Sequence, residues 1–151
     1  MNIDFSKMDS QMKKVTISII GSVAPPNDAG DSFELMTDGE YSVQNGCSAF
    51  SYVESALTGF EGTLTTFAIE QDRIVLRRAG GQSPDMIFSE KQKHHFLYET
   101  PMGAITMGID THSIKHDLHD QGGNIEIKYD IEVDNVPISH NTFKINIWSA
   151  Q

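Results

Sequence analysis

Hydrophobic and polar residues alternate along most of this chain, and the alternation predicts strands. The clearest stretch is Asn124–Asp134. Ile125, Ile127, Tyr129, Ile131 and Val133 fall on one face, while Asn124, Glu126, Lys128, Asp130, Glu132 and Asp134 fall on the other. Successive side chains of a strand point to opposite faces, so the first set reads as core and the second as water-facing. The same period places Val15, Ile17 and Ile19 together within Lys14–Ser22. Ser32–Val43 reads as a strand with a bulge or bend at Gly39. Cys47–Leu57, Thr63–Glu70, Arg73–Ala79, Met86–Phe88 and Ser139–Trp148 complete the strands outside the central hairpin.

That hairpin, His94–Leu118, holds two apolar runs meeting at Thr100–Pro101–Met102–Gly103, with Gly103 and Gly108 as turn and bend points. The barrel is expected to be organised around it. Turn chemistry punctuates the rest. Pro25–Pro26 with Asn27–Asp31 makes a loop, Asn45–Gly46 a tight hairpin, and Thr58–Gly62, Gly80–Gly81, Gln121–Gly123 and Asp134–Pro137 further turns. No helical period persists. About ten strands at this spacing, several of them long and joined by short turns, predict an all-β fold. The expected form is a single closed antiparallel up-and-down barrel of about eight to ten strands. Residues 1–12 read as a flexible N-terminal leader and residues 13–149 as the barrel domain. Ile3, Phe5 and Met8 could alternatively dock as one helical turn over a barrel end.

Composition narrows the function classes. The chain has 151 residues and a formal charge of −10. Nucleic-acid binding needs clustered Lys and Arg, and anionic lipid surfaces likewise attract basic segments, so neither is an expected partner. Cys47 is the single cysteine and cannot form an internal disulfide. No run approaches the roughly 18 apolar residues of a membrane helix. Lys13–Lys14 before VTISIIGSVA resembles a weak signal peptide, but Thr16 and Ser18 alternate through it as in a strand. A cytoplasmic protein is expected.

Two groups of residues carry candidate chemistry. Glu54 shares parity with Phe50 and Tyr52. If that aromatic face is internal, a carboxylate is buried and needs a partner, because desolvating an isolated charge is costly. One of Arg77 and Arg78, and one of Tyr98 and Glu99, would point inward with it on regular strands. The group reads either as an ion pair at the barrel rim or as a polar anchor in a cavity bounded by Phe50, Tyr52, Tyr98 and Met107. The second group is the histidines His94, His95, His112, His116, His119 and His140. On a regular strand His112 and His116 lie about 13 Å apart, too far for one metal. Pairing across strands with His94 or His95 could still build a site, but they read as solvated hairpin residues and no metal is expected. There is no Gly-x-Ser-x-Gly elbow and no phosphate loop, so no catalytic residues and no cofactor are assigned.

Several segments together carry a resemblance: a basic pair leading VTISIIGS, then FELMTDGEY, SYVESALTGFEGTLTT, LRRAG, YETPMGAITMGIDTHSI and GGNIEIKYDIEV. In this order and spacing the chain resembles the YwiB-like family of small bacterial proteins, over roughly Lys13 to Ile147. The resemblance implies a calycin-like (lipocalin-like) barrel with no assigned function and no known ligand. The chain departs from secreted lipocalins, which carry Gly-x-Trp on the first strand and usually disulfides. Its one tryptophan, Trp148, lies near the end of the chain. The expected activity is binding of a small apolar or amphipathic ligand rather than catalysis. The alternative is a monomeric or homodimeric interaction module with a filled barrel.

Overall fold

Long alternating strands and short turns favour one arrangement, in which each strand pairs with its neighbours in sequence. The computed structural model, which describes residues 12–55, 61–79 and 84–150, has that arrangement. Its ten strands are β1 Lys13–Ala24, β2 Asp31–Gln44, β3 Cys47–Val53, β4 Leu64–Ile69, β5 Ile74–Arg78, β6 Met86–Phe88, β7 Lys93–Thr100, β8 Gly103–His119, β9 Gly122–Val133 and β10 Val136–Ser149. They form one antiparallel sheet in the order β6-β5-β4-β3-β2-β1-β10-β9-β8-β7. The last strand returns to the first, with Val15 opposite Ser149 and Ala24 opposite His140.

The barrel is nearly closed rather than fully closed, because the ladder breaks between β6 and β7. With three residues, β6 is too short to run beside the eight of β7. The turn between them bridges the gap instead. The Lys91 N–H donates to the Thr111 carbonyl at 2.8 Å, and the Thr111 N–H donates to the Gln92 carbonyl at 3.1 Å. The Glu90 carboxylate accepts from the Ile114 N–H at 2.9 Å.

Turn residues behave as their chemistry demands. Asn45 and Gly46, with φ of 49° and 83°, are both left-handed, as a two-residue hairpin turn requires. Asp134 and Asn135 make the same turn without glycine, at 50° and 68°. Asp and Asn are among the few side-chain-bearing residues that enter this region readily.

The middle of the barrel is filled. Ile17, Phe50, Phe67, Phe88, Ile109 and Ile127 are each no more than 1% exposed. Aromatic rings run across the interior. Phe50 stacks on Phe67 at 4.8 Å, Phe67 meets the edge of Phe143 at 6.1 Å, Phe143 lies 5.7 Å from Tyr129, and Tyr129 lies 4.9 Å from Phe88. At one end of the barrel the Tyr41 hydroxyl donates to the His119 carbonyl at 2.7 Å.

Four expectations are corrected. The β7–β8 hairpin is not the centre of the sheet, since β7 is an edge strand. Gly39 is neither bulge nor bend: its register with Val15 is continuous, and a Cβ there would collide with Ile17 Cδ1 and the Ser51 carbonyl, so glycine serves close packing. Gly108 likewise keeps register opposite Glu132, with the His95 ring over it. Glu132 faces outward as expected but is buried, capped by Lys93 at 2.9 Å. The outer face of β3–β5 is also covered, with Cys47, Ala49, Ala68 and Val75 buried and Met12 packed against them. The rest of the expected leader, residues 1–11, lies outside the described residues, as do Leu57, part of the Thr58–Gly62 turn and the Gly80–Gly81 turn. No helix among the described residues is long and apolar enough to cross a membrane.

Candidate functional site

Strand register builds the site. Tyr52 on β3 is directly opposite Thr65 on β4, and Thr65 is directly opposite Arg78 on β5. One inward-facing row therefore carries a phenol, a hydroxyl and a guanidinium. Glu54, two residues beyond Tyr52, adds a carboxylate on the same face. Its backbone continues the ladder past β3, the Glu54 N–H donating to the Thr63 carbonyl at 2.8 Å. The Thr65 hydroxyl donates to Glu54 Oε2 at 2.6 Å, and Arg78 Nε lies 3.7 Å from the same oxygen. The Glu54 side chain is 1% exposed and that of Arg78 17%.

These groups stand on the wall of a cavity of about 270 Å³ at the end of the barrel away from Tyr41 and His119. Most of the wall is apolar: Ile19, Phe33, Leu35, Phe67, Leu76 and Phe143. Tyr129 adds a phenol from β9. Gly21, also on the wall, makes room for Phe33, whose ring occupies the space a Cβ would need. The result is a small apolar chamber with its hydrogen-bonding groups concentrated on β3–β5.

The electrostatics of the chamber keep its phenols neutral. Burial pushes the Tyr52 hydroxyl far above the ordinary phenol range. The charge of Glu54 and a hydrogen bond to it push the same way, and Arg78 opposes them. Burial also raises Tyr129 far, against the pull of Arg78. Tyr41, at the other end, is raised chiefly by burial. A folded-state value above the unfolded one favours the protonated form, so the stability it contributes is complete below about pH 10 and is lost as the pH rises above it. An alkaline titration followed by tyrosinate absorbance should therefore find Tyr41, Tyr52 and Tyr129 protonated until the barrel unfolds. Ionisation of all four tyrosines in the ordinary range, with the fold intact by circular dichroism, would contradict these environments.

The other residues singled out from sequence are distributed differently. Phe50 lies beneath the chamber, fully buried and stacked on Phe67. Arg77 faces outward and pairs with Asp85 at 2.8 Å. Glu99 lies on the outer face of β7, whereas Tyr98 shares its face with Phe96, which packs against the core, but is 44% exposed and does not line the chamber. Met107 is half-buried opposite Phe96, away from the chamber wall. Thr65 and Tyr129 were not among the residues singled out, although alternation already places Tyr129 inward and Thr65 in step with Phe67.

The histidines separate into individual contacts and one cluster. His94 meets Ser89 at 3.1 Å, His95 meets Asn135 at 3.3 Å, and His119 Nδ1 accepts from the Gln121 N–H at 3.2 Å. His116 is exposed. His112 and His140 converge on Asp130.

Fold and site together define a class: small, nearly closed antiparallel barrels with a packed middle and an apolar chamber at one end. The chain belongs to the family described as "Domain of unknown function (DUF1934)", whose profile matches residues 17–145. No curated protein matches it. Among solved structures it is similar to the crystal structure of ywiB protein from Bacillus subtilis, with a TM-score of 0.78 and 20% identity over 93% of this chain and 94% of that one. The YwiB-like resemblance read from the motifs is thus met by family profile and by fold. At this identity the structural likeness speaks for the fold alone.

Proposed function

We propose that the protein binds a small, partly apolar molecule in the end chamber and that it is a binding protein rather than an enzyme. The observation that carries this reading is the Tyr52–Thr65–Arg78 row with Glu54 on one wall of an otherwise apolar cavity. Small-molecule sites have this character, a few placed polar groups among apolar walls. The chamber's 270 Å³ constrains the ligand. It lies just below the roughly 300–1,000 Å³ of common ligand sites and well above the about 150 Å³ that suffices for benzene. A single-ring molecule fits, with one polar substituent directed at Arg78, whose planar donors suit a carboxylate, carbonyl or hydroxyl oxygen. A long-chain lipid does not fit.

Native mass spectrometry of freshly purified protein tests the proposal. An added mass of single-ring size that disappears on denaturation is the expected result. Apo protein that also takes up no single-ring acid, phenol or amine at millimolar concentration would overturn it. A second reading, self-association, is favoured by the β7 edge and by exposed Leu97, Tyr98 and Met102 beside it. An unpaired apolar edge is a template for another strand. A dimer lost on introducing lysine at Leu97 would favour that reading.

A further inference from the structure

The outer face of β8–β10 carries a cluster independent of the chamber. Asp110 on β8 is directly opposite Asp130 on β9, and Asp130 is directly opposite His140 on β10. These three side chains form one row across three adjacent strands. The register of β8 against β9 then shifts between Thr111 and Ser113, leaving His112 as the extra residue of a β-bulge. Bulges re-aim side chains and are frequent beside functional sites. Here the bulge turns His112 onto the row, with His112 Nε2 3.0 Å from Asp130 Oδ2. On the other side His140 Nδ1 lies 2.7 Å from Asp130 Oδ1. One ligand atom each from Asp110, His112 and Asp130 falls within 4.8 Å of the others, the spacing of donors around a single ion.

Charge points the same way. Like charges directly opposite each other on a sheet are destabilising, yet two aspartates face each other here. His112 and His140 flank Asp130 on either side, but no cation among the described residues is seated on Asp110. The remaining charged groups nearby are Lys93, opposite Asp110 but bonded to Glu132 at 2.9 Å, and Lys128. The histidines are about half exposed and Asp130 13% exposed, so the cluster is open to ions from solvent along a surface groove.

We propose that Asp110, His112 and Asp130, with His140 as the hydrogen-bond support of Asp130, form a binding site for one divalent transition-metal ion. An imidazole beside two carboxylates suits zinc, cobalt or nickel, whereas magnesium and calcium prefer all-oxygen sites. The ion's charge would relieve the aspartate pair.

Isothermal titration of the full chain with Zn²⁺ in excess Mg²⁺ tests the site. One equivalent should bind. His112→Ala and Asp130→Asn should each weaken binding at least tenfold, with circular dichroism unchanged. His95→Ala, on the same outer surface but outside the cluster, should leave binding unaltered. Zn²⁺ affinity that is the same in the wild type and in a folded His112→Ala/His140→Ala double variant would overturn the proposal, as would Mg²⁺ competing on equal terms.

Discussion

Replacing Arg78 with methionine should destabilise the barrel by about 3–5 kcal/mol, the usual cost of removing one partner of a buried ion pair. The size follows from asymmetry of burial. Glu54, at 1% side-chain exposure, would lose its nearby cation, and the neutral Thr65 and Tyr52 hydroxyls do not offset a desolvated carboxylate. Arg78 is itself shielded, at 17%, so solvent screening discounts the effect little. Replacing both partners with well-packed neutral residues, as in Glu54→Gln/Arg78→Met, should recover most of the loss, since a buried pair is often worth little net of its desolvation. Urea unfolding of the two variants measures this. A loss below about 1 kcal/mol for Arg78→Met alone would mean that Glu54 is solvated, and that the chamber is wetter than its walls imply.

Phe50→Ala should cost a similar amount, about 3–5 kcal/mol, by a different mechanism. Phe50 is fully buried, stacks on Phe67 at 4.8 Å and lies 6.4 Å from Tyr52. Its removal deletes apolar burial and opens a void that the strands, pinned by ladder bonds on both sides, cannot close. The void lies directly under the chamber and should merge with it. The destabilised variant should therefore bind larger single-ring compounds than the wild type does. Stability measured with and without such a compound separates the two effects. An unaltered midpoint would place Phe50 outside the packed middle.

Much of the architecture is legible in the chain. Alternation in Asn124–Asp134 and the Asn45–Gly46 turn are strong local signals, and each strand they define pairs with its sequence neighbours. Glu54 shares parity with two aromatic residues, so its burial and its need for a partner depend on that face being internal, as it is. Which arginine was not readable from one strand, since Arg77 and Arg78 differ by one register step and only the Thr65 pairing selects Arg78. Tyr98 follows the alternation, sharing a face with Phe96, but it is 44% exposed and stands apart from the chamber wall. The His112 bulge was hidden for another reason. Thr111, His112 and Ser113 are all polar, so a slipped register leaves no break in the hydrophobic pattern.

The central claim is that the end chamber accepts a single-ring ligand against the Tyr52–Arg78 wall. Methyl-resolved nuclear magnetic resonance of the full chain, titrated with benzoate, tests it most directly. The methyl signals of Ile19, Leu35 and Leu76 should shift together and saturably, while those of exposed Met36 and Leu97 stay in place. Shifts confined to Met36 and Leu97, or none at saturating benzoate or with phenol in its place, would contradict the account and leave the barrel a filled scaffold.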